Sequence, residues 1–220
     1  MGWAGSGALV AWHDIDEGRE AEYLDWHSRE HMAERLAIPG FVEARRYSVV
    51  GSGPAFLILY AVVDPGVFEA EAYLERLNHP SEWTQRIMPA LRNMNRSLCR
   101  VEASGGFGAG RWLQALRFSP DPGREASLRD VLTEEVSSLA LQPGLCAAHL
   151  LISDRHKVRT PTREATLRGG QDTVADWVLL IEGYVQTAVA QDHTVLLRQN
   201  GAGPDIAANL YAMDYVRPAP

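Results

Sequence analysis

Lysine is almost missing from this chain. Of its 21 basic residues only Lys157 is a lysine and the rest are arginines. A guanidinium stays protonated and cannot serve as an amine nucleophile, so Schiff-base and pyridoxal-phosphate chemistry have almost no candidate. Cysteine is equally scarce. Cys99 and Cys146 stand alone in apolar surroundings, without the C-x-x-C spacing of a zinc or redox site, and read as small buried residues. Positive charge is in deficit, 21 basic against 28 acidic residues for a net −7. That is the reverse of the field that phosphate-backbone binding requires, so nucleic acid is not an expected partner. No stretch approaches the roughly 18 continuous apolar residues of a membrane helix, so no membrane partner and a cytoplasmic setting are expected. What is present is 220 residues, 46% hydrophobic and 22% charged, the composition of a globular protein with a sizeable core.

The chain also repeats itself. Asp16-Glu-Gly-Arg-Glu-Ala21 returns as Asp121-Pro-Gly-Arg-Glu-Ala126, and Pro39-Gly-Phe41 returns as Pro143-Gly-Leu145, in the same order and at nearly the same offset. Around these matches each copy parses alike. A strand pattern (8–14; 111–119) precedes a helical pattern (17–36; 124–139), and Pro-Gly ends the helix. Two apolar strand runs follow (41–50 and 55–63; 145–153 and 174–182), then a second helical region (67–77 with 81–91; 185–198) and a last strand (95–102; 209–216). The order is βαββαβ twice, an α+β arrangement of tandem ferredoxin-like units. The expected division is 1–103, the half that bears the site, a glycine-rich joint at 104–110, and 111–220, a half expected mainly to scaffold the first. In that joint, Ser104-Gly-Gly-Phe-Gly-Ala-Gly110 leads into a strand rather than a helix, which argues against a phosphate loop. The second copy spreads its central hairpin over 155–171, with five Lys or Arg against one Glu. Such a segment reads as a solvated loop or as a flap over an anionic ligand.

The first helical pattern carries the chemistry. At 100° per residue Tyr23, His27 and His31 fall within about 80° of one another, with Glu20 and Leu24 among them. A second stripe through Trp26, Met32, Ala33 and Leu36 is apolar, so periodicity alone leaves open which face is buried. The repeat supplies a test: the positions matching Tyr23, His27 and His31 are Leu128, Leu132 and Val136, all apolar. If the copies share a fold, that face points inward in both, and inward histidines near Tyr23 and Glu20 make a proton-transfer or ligand-binding constellation.

The run Asp25-Trp-His-Ser-Arg-Glu-His-Met-Ala-Glu-Arg-Leu-Ala-Ile-Pro-Gly-Phe-Val-Glu-Ala-Arg-Arg-Tyr47 resembles the helix-to-strand signature of dimeric α+β barrel proteins. It is most similar to uncharacterised members related to the ether-degradation accessory group. His31 matches the family histidine, while His27 stands where an aromatic residue is more usual. Leu77-Asn-His-Pro-Ser-Glu-Trp-Thr-Gln-Arg86 extends the resemblance over most of the first copy. The resemblance implies two ferredoxin-like units whose sheets close into a barrel with a ligand cavity between sheet and helices. Two chains meet in most relatives; here the tandem copies would form one barrel within a chain, and a homodimer remains compatible.

The expected function is that of a small-molecule enzyme doing cofactor-independent acid/base chemistry on a hydrophobic carbonyl or aromatic substrate. The reaction would be that of an isomerase, cyclase, decarboxylase or monooxygenase. His31, His27 and Tyr23 are the catalytic candidates, with Glu20, His13, Arg46, Trp26 and His79 as substrate-binding candidates. No cofactor and no metal is expected. Two alternatives stay open: a ligand-binding protein without turnover, and a metal or haem barrel, for which His27 and His31 at i, i+4 would need a further ligand such as His13 or His79. His149, His156 and His193 have no clustered partners in the sequence and read as structural or exposed.

Overall fold

The computed structural model describes residues 2–153 and 161–220. In chain order the elements are β1 (Gly7–Ile15), α1 (Glu20–Trp26), a π-helical turn (His27–His31), α2 (Met32–Leu36), β2 (Phe41–Val50), β3 (Phe56–Val62), α3 (Glu71–Asn78), α4 (Glu82–Ile87) and β4 (Leu91–Gly106). The second half continues with β5 (Trp112–Phe118), α5 (Glu125–Leu139), β6 (Leu145–Ser153), α6 (Arg163–Arg168), β7 (Trp177–Gly183), α7 (Gln186–Val189), α8 (Thr194–Gln199) and β8 (Ala207–Pro218).

The strands close into one antiparallel barrel in the order β1-β3-β2-β8-β5-β7-β6-β4. Each half contributes four neighbours in the same internal order, and the halves meet at two seams, β2 with β8 and β4 with β6. Strand β4 is long because it serves two partners. Leu91 to Arg100 pair with β1, and Cys99 to Gly106 pair with β6. Ser104, Gly105 and Gly106, expected in the joint, are therefore strand.

The repeated sequence signatures mark repeated backbone needs. Gly18 and Gly123 both have φ near +80°, which glycine adopts without steric cost. In each half the turn is closed by the same bond, Arg19 N to Asp16 O at 3.0 Å and Arg124 N to Asp121 O at 2.9 Å. After the helix, Gly40 and Gly144 again have positive φ. A Cβ there would lie 2.5 Å from Val67 Cγ2 or 2.7 Å from Ala188 Cβ, so these turns demand glycine twice over.

Both faces of β1, β3, β5, β6 and β7 are largely buried, so these strands read as apolar runs rather than alternations, whereas β8 and much of β4 stay partly exposed. Along β3, Leu57 and Leu59 fill the barrel interior with Trp12, Tyr47, Leu113, Leu180 and Tyr211. Phe56, Ile58, Tyr60 and Val62 face outward and pack with Tyr23, Trp26, Met32 and Leu36 under the first-half helices. The matching outer layer of the second half holds Leu128, Leu132 and Val136 of α5 against Ala148, Leu150, Leu179 and Ile181.

Several helices are shorter than their patterns suggest. The region expected as helix at 67–77 divides into a 3-10 turn (Pro65–Glu69) and α3, and that at 81–91 ends at Ile87 before a 3-10 turn (Met88–Ala90) containing Pro89. Ser81 caps α4, its Oγ accepting from Thr84 N at 3.0 Å. Within the basic segment 155–171, the described part forms α6, capped by Thr162. Arg155, His156, Lys157 and Arg159 lie outside the described residues. Among the described residues no helix is long and apolar enough to cross a membrane.

Candidate functional site

The helix after β1 is not a plain α-helix. Met32 N bonds to His27 O, an i to i−5 link that inserts one residue into the turn His27–His31. Such π turns are uncommon. Its consequence is a change of step: Tyr23, His27, Met32 and Leu36 form one inward column, and Trp26, His31 and Arg35 form another. The two stripes that compete in the sequence thus share the inward side. Tyr23, Trp26, His27, Met32, Arg35 and Leu36 are buried, and His31 keeps some surface while its Nδ1 is fully covered. In the second half Leu128, Leu132 and Val136 are buried likewise, so the same face points inward in both copies.

From these columns Tyr23, Trp26, His27, His31 and Arg35 wall a cavity of about 60 Å³ together with Leu9, Ala11 and His13 of β1, Ile58 and Tyr60 of β3, Tyr73 of α3, and Glu164 and Arg168 of α6. His13 Nε2 lies 2.9 Å from the Tyr23 hydroxyl. The His27 ring packs 5.4 Å from Tyr23 and 5.5 Å from His31, and His31 stacks on Trp26 with centroids 4.4 Å apart. Trp26 is fixed from the other side, its Nε1 donating to Thr84 Oγ1 at 3.1 Å.

Burial governs the protonation states. It pushes His27 and His31 well below 6.5, with the nearby guanidiniums of Arg46 and Arg35 acting in the same sense. His13 falls to about 3 for the same first reason, against a raising influence from Asp14. Burial drives Tyr23 the other way, well above 10, so its hydroxyl keeps its proton. At neutral pH the site holds three uncharged imidazoles. Arg46 Nη1 donates toward His27 Nδ1 at 3.4 Å, which places the His27 proton on Nε2. Among the described residues His31 Nδ1 and His13 Nδ1 have no hydrogen-bond partner, although both are buried.

The expected site residues separate into three groups. His31, His27, Tyr23, His13 and Trp26 converge on the cavity. Arg46 stands behind His27, where it is held by Ser28 Oγ at 3.0 Å, Leu24 O at 3.3 Å and Asp214 of β8 at 3.2 Å, so it positions rather than lines. Glu20 and His79 do not reach the cavity. Glu20 is exposed in the first turn of α1, away from any bound molecule in the cavity, and His79 is exposed with its Nδ1 against Glu75 O at 3.0 Å.

Four residues escaped the sequence reading. Arg35 continues the His31 column and pairs with Glu164, both side chains almost wholly buried. Arg168 pairs with Asp172 at 2.8 Å, and the Tyr60 hydroxyl is buried without a partner among the described residues. Arg35 was legible as the next step of the stripe, four residues beyond His31. Glu164 and Arg168 carried no such signal, because their packing against the first half is a matter of tertiary approach. They also make the second half more than a support for the first.

His149 corrects the reading of an isolated histidine. It is buried within the barrel, 2.9 Å from Ser104 Oγ through Nδ1 and 3.4 Å from Glu182 Oε1 through Nε2. Glu182, fully buried, also takes Arg45 Nη1 at 3.0 Å and Gly110 N at 3.0 Å. Burial alone would raise this carboxyl, but the His149 bond and the Arg45 charge outweigh it and hold the group below its usual value. His193 is half-buried and lies 2.8 Å from Gln114 Oε1.

No protein-family model matches the chain, and no curated protein matches it. Solved structures do. An anthrone oxidase-like protein aligns over 97% of this chain and 92% of its own with a TM-score of 0.66 at 15% identity. A candidate monooxygenase from Fusobacterium nucleatum aligns over 97% and 95% with a TM-score of 0.61 at 9% identity. A haem-binding protein from Thermus thermophilus aligns over 97% and 92% with a TM-score of 0.51 at 12% identity. The shared feature is the fold, the closed eight-stranded antiparallel barrel of the dimeric α+β type.

Proposed function

We propose that the chain is a small-molecule enzyme whose acid/base group is the neutral imidazole of His31, with His27 and Tyr23 orienting the reacting end of the substrate and no tightly held cofactor. One observation carries the reading: His31 Nδ1 is buried without a partner among the described residues, on the wall of a cavity that Tyr23, Trp26 and His27 also line. Buried polar atoms ordinarily have partners, and a bound molecule would supply this one. An imidazole held well below 6.5 has its lone pair free at neutral pH but is a weak base. The proton it takes must therefore be acidic, as in an enol, a phenol or a carbon between two carbonyls.

The cavity admits only the reacting end of such a molecule. Beside it runs a groove of about 810 Å³, within the range of small-molecule sites. The two have Tyr73, Leu77, Arg96 and Arg168 as common walls. The likeness to an anthrone oxidase-like protein and a candidate monooxygenase supports a small-molecule site on this fold. The closer kinship with the ether-degradation group, a division at 1–103 and 111–220, a homodimer and a cytoplasmic setting belong to the same proposal.

A haem or metal site fits the residues less well. The cavity that holds His31 is far smaller than a macrocycle, and among the described residues the groove has no histidine on its walls. The guanidiniums of Arg46 and Arg35 bear on the His27 and His31 rings, where a metal cation would meet like charge. Among the described residues no three His, Cys, Asp or Glu side chains gather around a common point.

The test is a turnover screen of phenolic and enolisable aromatic compounds with the purified protein, repeated with His31→Ala. Loss of turnover in a variant with unchanged circular dichroism supports the assignment, and full activity would falsify it. Compounds that raise the melting temperature without forming product would favour a binding protein.

A further inference from the structure

We propose that the inner end of this site is built to hold an oxygen anion, a carboxylate or a phenolate or enolate, carried by an otherwise apolar molecule. The inference rests on the small-molecule reading above and adds the charge of the ligand to it.

Its starting point is a set of donors unused among the described residues. Arg35 spends Nη2 on Glu164, and its Nη1 is buried without a partner. Arg168 spends Nη2 on Asp172, and its Nε is likewise buried and unused. The Tyr60 hydroxyl is the third such atom. All three residues wall the same small cavity. Guanidinium nitrogens only donate, so whatever satisfies Arg35 and Arg168 has to accept.

Charge narrows the class further. Among the described residues the cavity walls carry Arg35, Arg96 and Arg168; Glu164 balances Arg35 and Asp172 balances Arg168, which leaves one positive charge in excess, and the three histidines there are neutral. A neutral acceptor would meet the hydrogen bonds and leave the excess positive charge in a poorly solvated place. An anion meets both, since charge-assisted bonds to guanidinium are the stronger kind. The remainder of the ligand follows from the adjoining groove, where Phe68, Leu74, Leu77, Leu98 and Ile152 offer apolar walls. The ligand is thus amphipathic, with its anionic end toward Arg35 and its apolar body toward Leu98.

The same placement gives the anion a part in the chemistry. A proton taken by His31 leaves negative charge on the substrate oxygen, and Arg35, Arg168 and the Tyr60 hydroxyl would stabilise that charge as it develops.

The experiment is calorimetric titration of the full chain with 2-naphthoate, its methyl ester, 2-naphthol and 2-methoxynaphthalene. At least tenfold tighter binding of 2-naphthoate than of its ester assigns a carboxylate; the same preference for 2-naphthol over its methyl ether, with the red-shifted absorbance of ionised naphthol in the complex, assigns a phenolate, whereas the preference without that shift marks a neutral hydroxyl and counts against the anion. Tyr60→Phe and Arg168→Gln should each weaken the preferred ligand several-fold. Arg35→Met strands Glu164 and risks misfolding, so the double variant Arg35→Met, Glu164→Met tests the same point with the whole pair removed. That double variant should lose the preference while remaining folded by circular dichroism. Equal binding of charged and uncharged forms, no binding of any at millimolar concentration, or a preference that survives in the double variant overturns the proposal. An anion preference with no turnover of any compound leaves this inference standing and removes the enzyme reading. His31-dependent turnover of neutral compounds without an anion preference does the reverse.

Discussion

Arg35 of α2 and Glu164 of α6, 129 residues apart in sequence, form an ion pair with both side chains nearly excluded from solvent. The pair joins the helix layer of one half of the barrel to a helix inserted in the hairpin of the other. With Arg168, it brings the second half onto the wall of a cavity that the first half otherwise lines.

Removing one partner leaves the other charge buried. Arg35→Met or Glu164→Met alone is expected to cost about 3–5 kcal/mol, while the double variant Arg35→Met, Glu164→Met costs less than the sum of the two. Urea unfolding of the four proteins at pH 7 measures this, and strictly additive losses would contradict a coupled pair.

Acid should weaken the fold earlier than carboxylates alone would cause. The unfolded chain protonates its histidines below about pH 6.5. His27 and His31 resist protonation in the folded state, and His13 does so down to about 3. The unfolded state then binds more protons, so stability falls with pH from 6.5 downward by about 1.4 kcal/mol per pH unit for each histidine. Denaturation midpoints at pH 7, 6 and 5 should decline, and replacing His27 with Gln should reduce the slope. A flat profile over that range would mean these rings protonate freely.

Glu182 acts on the same side of the profile for a different reason. Its folded value is held down by His149 and Arg45, so its contribution is complete above the ordinary carboxylate range and is lost as pH falls below it. Glu182→Gln should lower the melting temperature at pH 7, because Arg45 and His149 lose their buried partner. It should also make the remaining stability less sensitive to acid below about pH 4.5. Thermal melts of the two proteins at pH 7 and pH 4 make the comparison, and equal acid losses would exclude this role.

The second half can be probed at the position equivalent to His27. Leu132→Ala opens a void in the α5 layer and is expected to cost about 2–5 kcal/mol. Ligand binding in the first-half cavity should be unchanged at temperatures where the variant is folded. A variant with wild-type stability would show that this face is not packed as described.

The architecture was largely legible in the sequence because the repeats mark backbone constraints. Gly18 with Gly123 and Gly40 with Gly144 occupy conformations that other residues adopt only with strain, and they punctuate both halves at the same places. The doubly buried strands were visible as apolar runs. The core of the site was visible too, since the apolar residues Leu128, Leu132 and Val136 reveal the direction of the face that bears Tyr23, His27 and His31. Hidden were the features set by approach in space. The π turn at His27–His31 has no periodic signature of its own, and the exposure of Glu20 follows from where the helix starts rather than from its spacing. Glu164 and Arg168 sit in a segment whose charge suggests solvent, and nothing in their spacing announces a partner on the other half.

The closure of all eight strands within a single chain has a consequence for how such a site can change. In a barrel assembled from two identical chains every substitution enters twice, so a histidine gained for chemistry is also imposed on its symmetry mate. Covalent linkage of the halves lifts that restriction. Polar groups can accumulate on one side while the other retains Leu128, Leu132 and Val136, and the cost of burying three imidazoles is borne once per barrel.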